Sequence, residues 1–349
     1  MSALRGARPR AARRVWLSLI FVAAIAAALY VGLPQVAGLD ETWGRLSQGD
    51  PWWLAAALVF ELGSYAGYVV LFRGVFAEAD PPISWRDSYD ITMAGVAATR
   101  LFAMAGIGGI ALTGWALSRS GMSRRTLASG LTTFYVALYG VFMLALVMVG
   151  SGLRAGILAG PAPFGVTVVP AVFGAAVIVL AVGIALLPDD LDRRVRARMP
   201  GSERAVTWAG RVAAAGAAVS EGVRGALGML FRADRALLGA LAWWACDIAV
   251  LWACFHAFGE PPPVAVVVMA YFTGMLANVL PLPGGVGGVE GGMIAALLAF
   301  GVPAGLAVVA VLSYRAFAFW LPTIPGAVSY VRLRHSVKDW ARAPRAEAP

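Results

Sequence analysis

Pro281-Leu282-Pro283-Gly284-Gly285-Val286-Gly287-Gly288 interrupts an otherwise apolar stretch, residues 264–300. Glycine at this density cannot hold one straight helix, since each one inside a helix costs about 1 kcal/mol relative to alanine. The flanking arms have about 12 to 17 residues and reach roughly 18 to 26 Å, short of the ~30 Å hydrocarbon core of a bilayer. A second break, Ala105-Gly106-Ile107-Gly108-Gly109, divides the apolar stretch 89–118 in the same way. Both stretches are expected to be re-entrant hairpins, with Gly106, Gly108, Gly109, Pro283, Gly284, Gly285, Gly287 and Gly288 at their tips. Such backbone is tolerated at membrane depth only where protein or a water-filled cavity satisfies its polar groups.

The other apolar stretches have spanning length: 15–33, 52–76, 127–149, 164–187, 236–258 and 304–331. The expected fold is therefore an all-α integral membrane protein, with about six spanning helices and two opposed hairpins. Composition agrees. Hydrophobic residues make up 60 % of the 349 and charged residues only 13 %, with a mean hydropathy of +0.76. A soluble surface needs roughly a quarter of its residues charged. Arg5 to Arg14, followed by 15–33 and Val36-Ala37-Gly38, has the order of a signal peptide. Its apolar run of 19 residues is longer than a typical signal core, so it is read as a retained first span.

Charge placement sets the topology. The net charge is +9, and Lys338 is the only lysine. These charges sit in short loops, which fits the positive-inside rule and anionic lipid headgroups better than nucleic acid. With Arg5, Arg8, Arg10, Arg13 and Arg14 inside, Arg119, Arg124 and Arg125 are also inside only if 89–118 returns to its side of entry. The basic segment 188–235 then follows inside, where it reads as an amphipathic helix on the cytoplasmic surface. Arg332, Arg334 and Lys338 are inside only if 264–300 returns too. Arg45 and Arg154 are left outside, and both termini are cytoplasmic.

A repeat supports this topology independently. Gly106-Ile107-Gly108-Gly109-Ile110 matches Gly285-Val286-Gly287-Gly288-Val289 at an offset of 179. Gly121-Met122-Ser123 pairs with Gly301-Val302-Pro303, and Tyr135 with Tyr314. The halves 1–150 and 160–335, followed by a tail at 336–349, are each span, span, hairpin, span, in opposite orientations. Inverted repeats whose broken helices meet near the midplane are a transporter architecture.

Ionisable groups inside spans are costly and mark function by default. They are Glu61, Arg100, Asp247, Glu290 and Arg315, with His256 near an outer end. Glu290 begins the second arm of its hairpin, where a carboxylate caps the positive end of a helix. Two readings stay open: an internal Glu290–Arg315 pair that fixes packing, or a Glu290 that orients Arg315 toward a lipid phosphate, with Arg100 as a second positive group. Glu61 and Asp247 occupy equivalent positions in the two halves and are candidates for pairing with an arginine or for a charge relay. Asn278, Tyr271 and Tyr314 are candidate cavity residues. Cys246 and Cys254, about 12 Å apart along one helix, cannot pair and read as small buried hydrophobes. Asp189-Asp190-Leu191-Asp192 follows Pro188 and reads as ordinary helix capping. No metal site, cofactor motif or nucleophile motif is found.

The run Asn278 to Pro303, NVLPLPGGVGGVEGGMIAALLAFGVP, followed by SYRAFAFWLPTIPG, resembles the transmembrane region of lysylphosphatidylglycerol synthases, a flippase-like family of bacterial membrane proteins. The likeness rests on Pro281, Pro283, Gly284, Gly285, Gly287, Glu290, Gly301, Pro303, Tyr314, Arg315, Trp320 and Pro322, and covers roughly residues 50 to 335. Ala111 stands where the first half would repeat Glu290, so the copies are not equal. The resemblance implies translocation of an aminoacylated phospholipid between leaflets of the bacterial inner membrane. About 18 residues follow the last span, so synthase activity is not implied. The expected function is transport of an anionic phospholipid or lipid-linked headgroup, with substrate contacts at Arg315, Glu290, Arg100, Asn278 and Tyr314. The rival is a non-transporting subunit that scaffolds a lipid- or glycan-modifying enzyme. A transferase is disfavoured, because no aqueous loop carries paired acids.

Overall fold

The computed structural model describes residues 48–101, 107–186, 203–279 and 287–340, and all of the regular structure there is helical. The expected first span at 15–33, Asp189 to Asp192, and the tip residues Gly106, Pro283, Gly284 and Gly285 lie outside the described residues.

Eleven α-helices follow in chain order among the described residues. They are α1 (Pro51–Phe76), α2 (Trp85–Leu101), α3 (Ile107–Arg119), α4 (Arg124–Arg154), α5 (Phe164–Ala185), α6 (Glu203–Phe231), α7 (Leu237–Phe258), α8 (Val264–Leu276), α9 (Gly288–Ala299), α10 (Ala304–Arg315) and α11 (Thr323–Trp340). Five helical segments are long and apolar enough to cross a bilayer: α1, α4, α5, α7 and the composite Ala304–Val337. The chain is a multi-pass membrane protein. α5 sits at the periphery and exposes Val169, Val172, Val179 and Leu180, as a lipid-facing helix does.

Local chemistry sets the helix ends. Asp50 accepts the Trp52 N–H at 2.8 Å, with Pro51 in the first turn of α1. Ser123 accepts the Thr126 N–H at 3.1 Å at the start of α4. The repeat-related turns share one backbone form: Gly121 at φ +100 leads through Ser123 into α4, and Gly301 at φ +84 leads through Pro303 into α10.

The short helices pair. α2 packs on α3 and α8 on α9. The arms of 13 and 12 residues in the second pair extend roughly 20 Å each, too short to span. At the centre α1 and α7 cross closely. A Cβ on Gly67 would stand 2.7 Å from the Gly239 carbonyl oxygen, and one on Gly239 would stand 2.5 Å from that of Gly67. Small residues at a crossing let helix backbones approach where burial of apolar surface drives nothing. The Ser64 hydroxyl closes this contact by donating to the Trp243 carbonyl at 2.9 Å.

Two features differ from expectation. The amphipathic helix of segment 188–235 does not present its small-residue face to lipid headgroups. In α6, Ala213, Ala217, Ala218, Val223 and Ala226 are buried, and the helix packs on α4. There Thr133 donates to the Gly222 carbonyl at 2.9 Å, and Arg125 pairs with Glu221 at 2.8 Å. The last span, expected as one helix over 304–331, breaks into α10, a π-helical turn at Ala316–Trp320, and α11. Pro322 is the cause. It has no N–H for the Ala318 carbonyl four residues earlier, so the α-helical ladder cannot continue.

Candidate functional site

A cavity of about 520 Å³ lies among α1, α2, α3, α4, α7, α8 and the α10 break. Its lining is rich in aromatic residues, with Tyr65, Tyr68, Tyr135, Tyr139, Trp243 and Trp244. Arg100, Asp247, Asn278, Tyr314 and Arg315 line it too. Gly109 lines it as well.

Glu290 and Arg315 are joined by the folds of their own segments. Gly287 adopts φ +86, a conformation that favours glycine, and starts α9. Three residues on, Glu290 folds back, and its Oε2 accepts the Gly287 N–H at 2.8 Å. Its Oε1 accepts Arg315 Nε at 2.7 Å. Both residues are nearly sealed, at 4 % and 6 % exposure. The carboxylate thus caps a helix and fixes a guanidinium at once. Arg315 lines the cavity, whereas Glu290 stands behind it.

Arg100 ends α2, the arm before the first break. It reaches across to the π-turn, donating to the Phe319 carbonyl at 2.8 Å and to that of Ala318. The second is the carbonyl that Pro322 leaves without its helical donor. Arg100 also donates to the Tyr65 hydroxyl. Phe319 carries both cations on its ring, with Arg315 at 4.6 Å and Arg100 at 5.4 Å from the centroid. Two guanidinium groups are therefore held at one wall of the cavity, one by a carboxylate and one by backbone oxygens.

Asp247 faces Arg100 and Arg315 from α7, and its Oδ2 accepts the hydroxyls of Tyr271 and, at 3.1 Å, Tyr314. Glu61 stands opposite it across the α1–α7 crossing, beside Asp247, Tyr65 and Arg100. The two carboxyls assigned to equivalent positions of the halves thus meet in space. Asn278 lies in a 3₁₀ turn after α8, exposed to the cavity, with its amide on Met275 Sδ at 3.2 Å. Gly108 and Gly288 fall in the first turns of α3 and α9. His256 is remote, stacked on Trp53 at 4.2 Å.

Three participants escaped sequence reasoning. Tyr65 lies one turn from Glu61 on the same face, so helical periodicity was a usable signal. Phe319 carried none, being one aromatic among several in its run. Asp90 on α2 is buried and pairs with Arg332 on α11 at 2.8 Å.

Comparison with known proteins agrees with this architecture. The family model described as the lysylphosphatidylglycerol synthase TM region matches residues 15–326. Two UPF0104 membrane proteins of Methanothermobacter thermautotrophicus are similar, at 31 % identity over 93 residues and 33 % over 90. Each match covers 26 % of this chain and 26 % or 27 % of the relative, so the chain spans about a quarter of the length of those curated relatives. With nearly the whole helical region matched, the chain belongs to the lysylphosphatidylglycerol synthase transmembrane-region family.

Proposed function

We propose that the protein is a transporter, not an enzyme, that moves an anionic phospholipid or lipid-linked anionic headgroup between leaflets of a bacterial inner membrane, with both termini cytoplasmic. The paired short helices α2–α3 and α8–α9 serve as opposed re-entrant hairpins of an inverted repeat, and the cavity between them receives the headgroup. One observation carries the reading: two guanidinium groups, Arg100 and Arg315, stand at one cavity wall against Phe319. A guanidinium fork matches phosphate oxygens and is costly to keep deep in a membrane without a task. The aromatic lining of tyrosines and tryptophans suits the amphipathic region where headgroup meets acyl chain.

The test is leaflet exchange in vesicles containing the purified protein. Fluorescent phosphatidylglycerol should exchange many-fold faster than in protein-free vesicles, and faster than fluorescent phosphatidylcholine. No acceleration for either lipid by folded protein would remove the transport reading and favour the scaffold role, with a lipid-modifying enzyme as partner.

A further inference from the structure

Five ionisable side chains meet between the two halves: Glu61, Asp247, Glu290, Arg100 and Arg315. Glu290 and Arg315 neutralise each other at 2.7 Å. Three carboxyl groups stand against two guanidinium groups, so one negative charge is left over when all five are ionised. An uncompensated charge in the interior is strongly unfavourable. Moreover, two carboxylates set side by side in the interior repel each other, and a proton on one of them relieves that repulsion. Glu61 is 2 % exposed, and its Oε2 has no hydrogen-bond partner among the described residues. Asp247 in front of it lines the cavity and provides the route to water.

We propose that Glu61 and Asp247 form a proton-binding pair that takes up one proton with each anionic headgroup, so that a proton gradient drives the transport. The inference rests on the transport reading and adds its energy source. With one proton shared, the five-residue group is neutral. An arriving phosphate brings one negative charge to Arg100 and Arg315. A second proton, moving from water onto the remaining carboxylate, restores neutrality and leaves when the headgroup leaves. No other reactant is needed.

The surroundings suit that exchange. Tyr65 on α1, Tyr271 on α8 and Tyr314 on α10 surround the pair with hydroxyls, and α4 brings Tyr135 and Tyr139 to the same cavity. Arg100 comes from α2 and Arg315 from α10, with Glu290 of α9 behind it, while Cys246 and Cys254 flank the pair on α7 itself. Hydroxyls adapt to either protonation state by rotating, as a fixed cation cannot.

Two measurements test the proposal, the first independent of transport. Infrared difference spectra of the purified protein near neutral pH should show the C=O stretch of a protonated buried carboxyl, lost in Glu61→Gln and in Asp247→Asn. Absence of that band in wild type would overturn the shared proton, whatever the lipid assay reports. In vesicles with the membrane potential clamped, a gradient of one pH unit should bias fluorescent phosphatidylglycerol between leaflets by up to about tenfold at one proton per lipid. In the double variant Glu61→Gln with Asp247→Asn, which has no carboxyl left in the pair to take the coupling proton, that bias should vanish while melting curves show a folded protein. Exchange in wild type that ignores the gradient would overturn the coupling and leave the transport reading standing. Absence of any exchange by folded wild type would overturn both.

Discussion

Consider the pair Glu290–Arg315 and the replacement of its members one at a time. Glu290→Gln leaves an amide oxygen able to accept the Gly287 N–H, so the cap on α9 survives while the charge opposite Arg315 disappears. Removing one partner of a buried pair costs about 3 to 5 kcal/mol, because the other charge stays in the interior. Glu290→Ala should add about 0.5 to 2 kcal/mol, since the cap is lost as well. The double variant Glu290→Gln with Arg315→Gln contains no lone charge. It should recover most of the loss and sit about 1 kcal/mol from wild type, the scale of one exchanged hydrogen bond. The coupling between the two sites should then be far above the ~0.5 kcal/mol found for independent residues. Stability is measured by denaturant unfolding in micelles, and function by leaflet exchange of phosphatidylglycerol in vesicles. If Arg315 holds the phosphate, the double variant is folded and inactive. Arg315→Lys is impaired as well, because a point charge does not reproduce the fork. Exchange at the wild-type rate by the folded double variant would refute the headgroup role and return both residues to packing.

Three further outcomes are expected. Single cysteines at Ser123 and Ala304, in a protein lacking Cys246 and Cys254, should react with impermeant reagents from opposite sides of the membrane; labelling from one side would sink the inverted repeat. Gly287→Leu should insert normally but lose exchange, because φ +86 costs an L-residue about 1 to 2 kcal/mol and displaces the Glu290 cap, and full activity there would show the turn to be inconsequential. Gly67→Leu should destabilise by about 1 to 3 kcal/mol or more, since its Cβ alone meets the Gly239 carbonyl at 2.7 Å, and an unchanged melting curve would contradict the close crossing of α1 and α7.

What was legible follows from what leaves a one-dimensional trace. Apolar runs of spanning length did, because bilayer thickness sets a length, and five described helical segments coincide with them. Ionic residues in those runs also stood out, because each is conspicuous against its neighbours. The docking of α6 on α4 left no trace: Gly222 and Gly225 read as part of a polar-apolar alternation, and only the structure shows Ser129, Thr132 and Thr133 filling the space above them. Asp90 was passed over because it lies beside Ser88 and Tyr89, where an apolar stretch was only beginning. Hydropathy likewise reads straight through Trp320-Leu321-Pro322, since one proline barely alters the mean of a long apolar window.

That proline has a consequence that extends past its own helix. The carbonyl it strands at Ala318 belongs to the second half of the chain, and the guanidinium that claims it, Arg100, belongs to the first. Several other polar links of the region cross between halves as well: Ser64 to Trp243, Asp90 to Arg332, and Glu61 opposite Asp247. The Glu290–Arg315 pair and the two tyrosine hydroxyls on Asp247, by contrast, lie wholly within the second half. Under the transport reading, any motion of the halves must exchange the crossing contacts while sparing the internal ones. Arg100 is suited to be the member that changes partners, because its direct hydrogen bonds go to backbone oxygens and a tyrosine hydroxyl, not to a carboxylate. A phosphate offers a stronger, charge-assisted partner than neutral oxygens do. Headgroup binding would then draw Arg100 off the π-turn and release the link between the halves at the moment the substrate arrives.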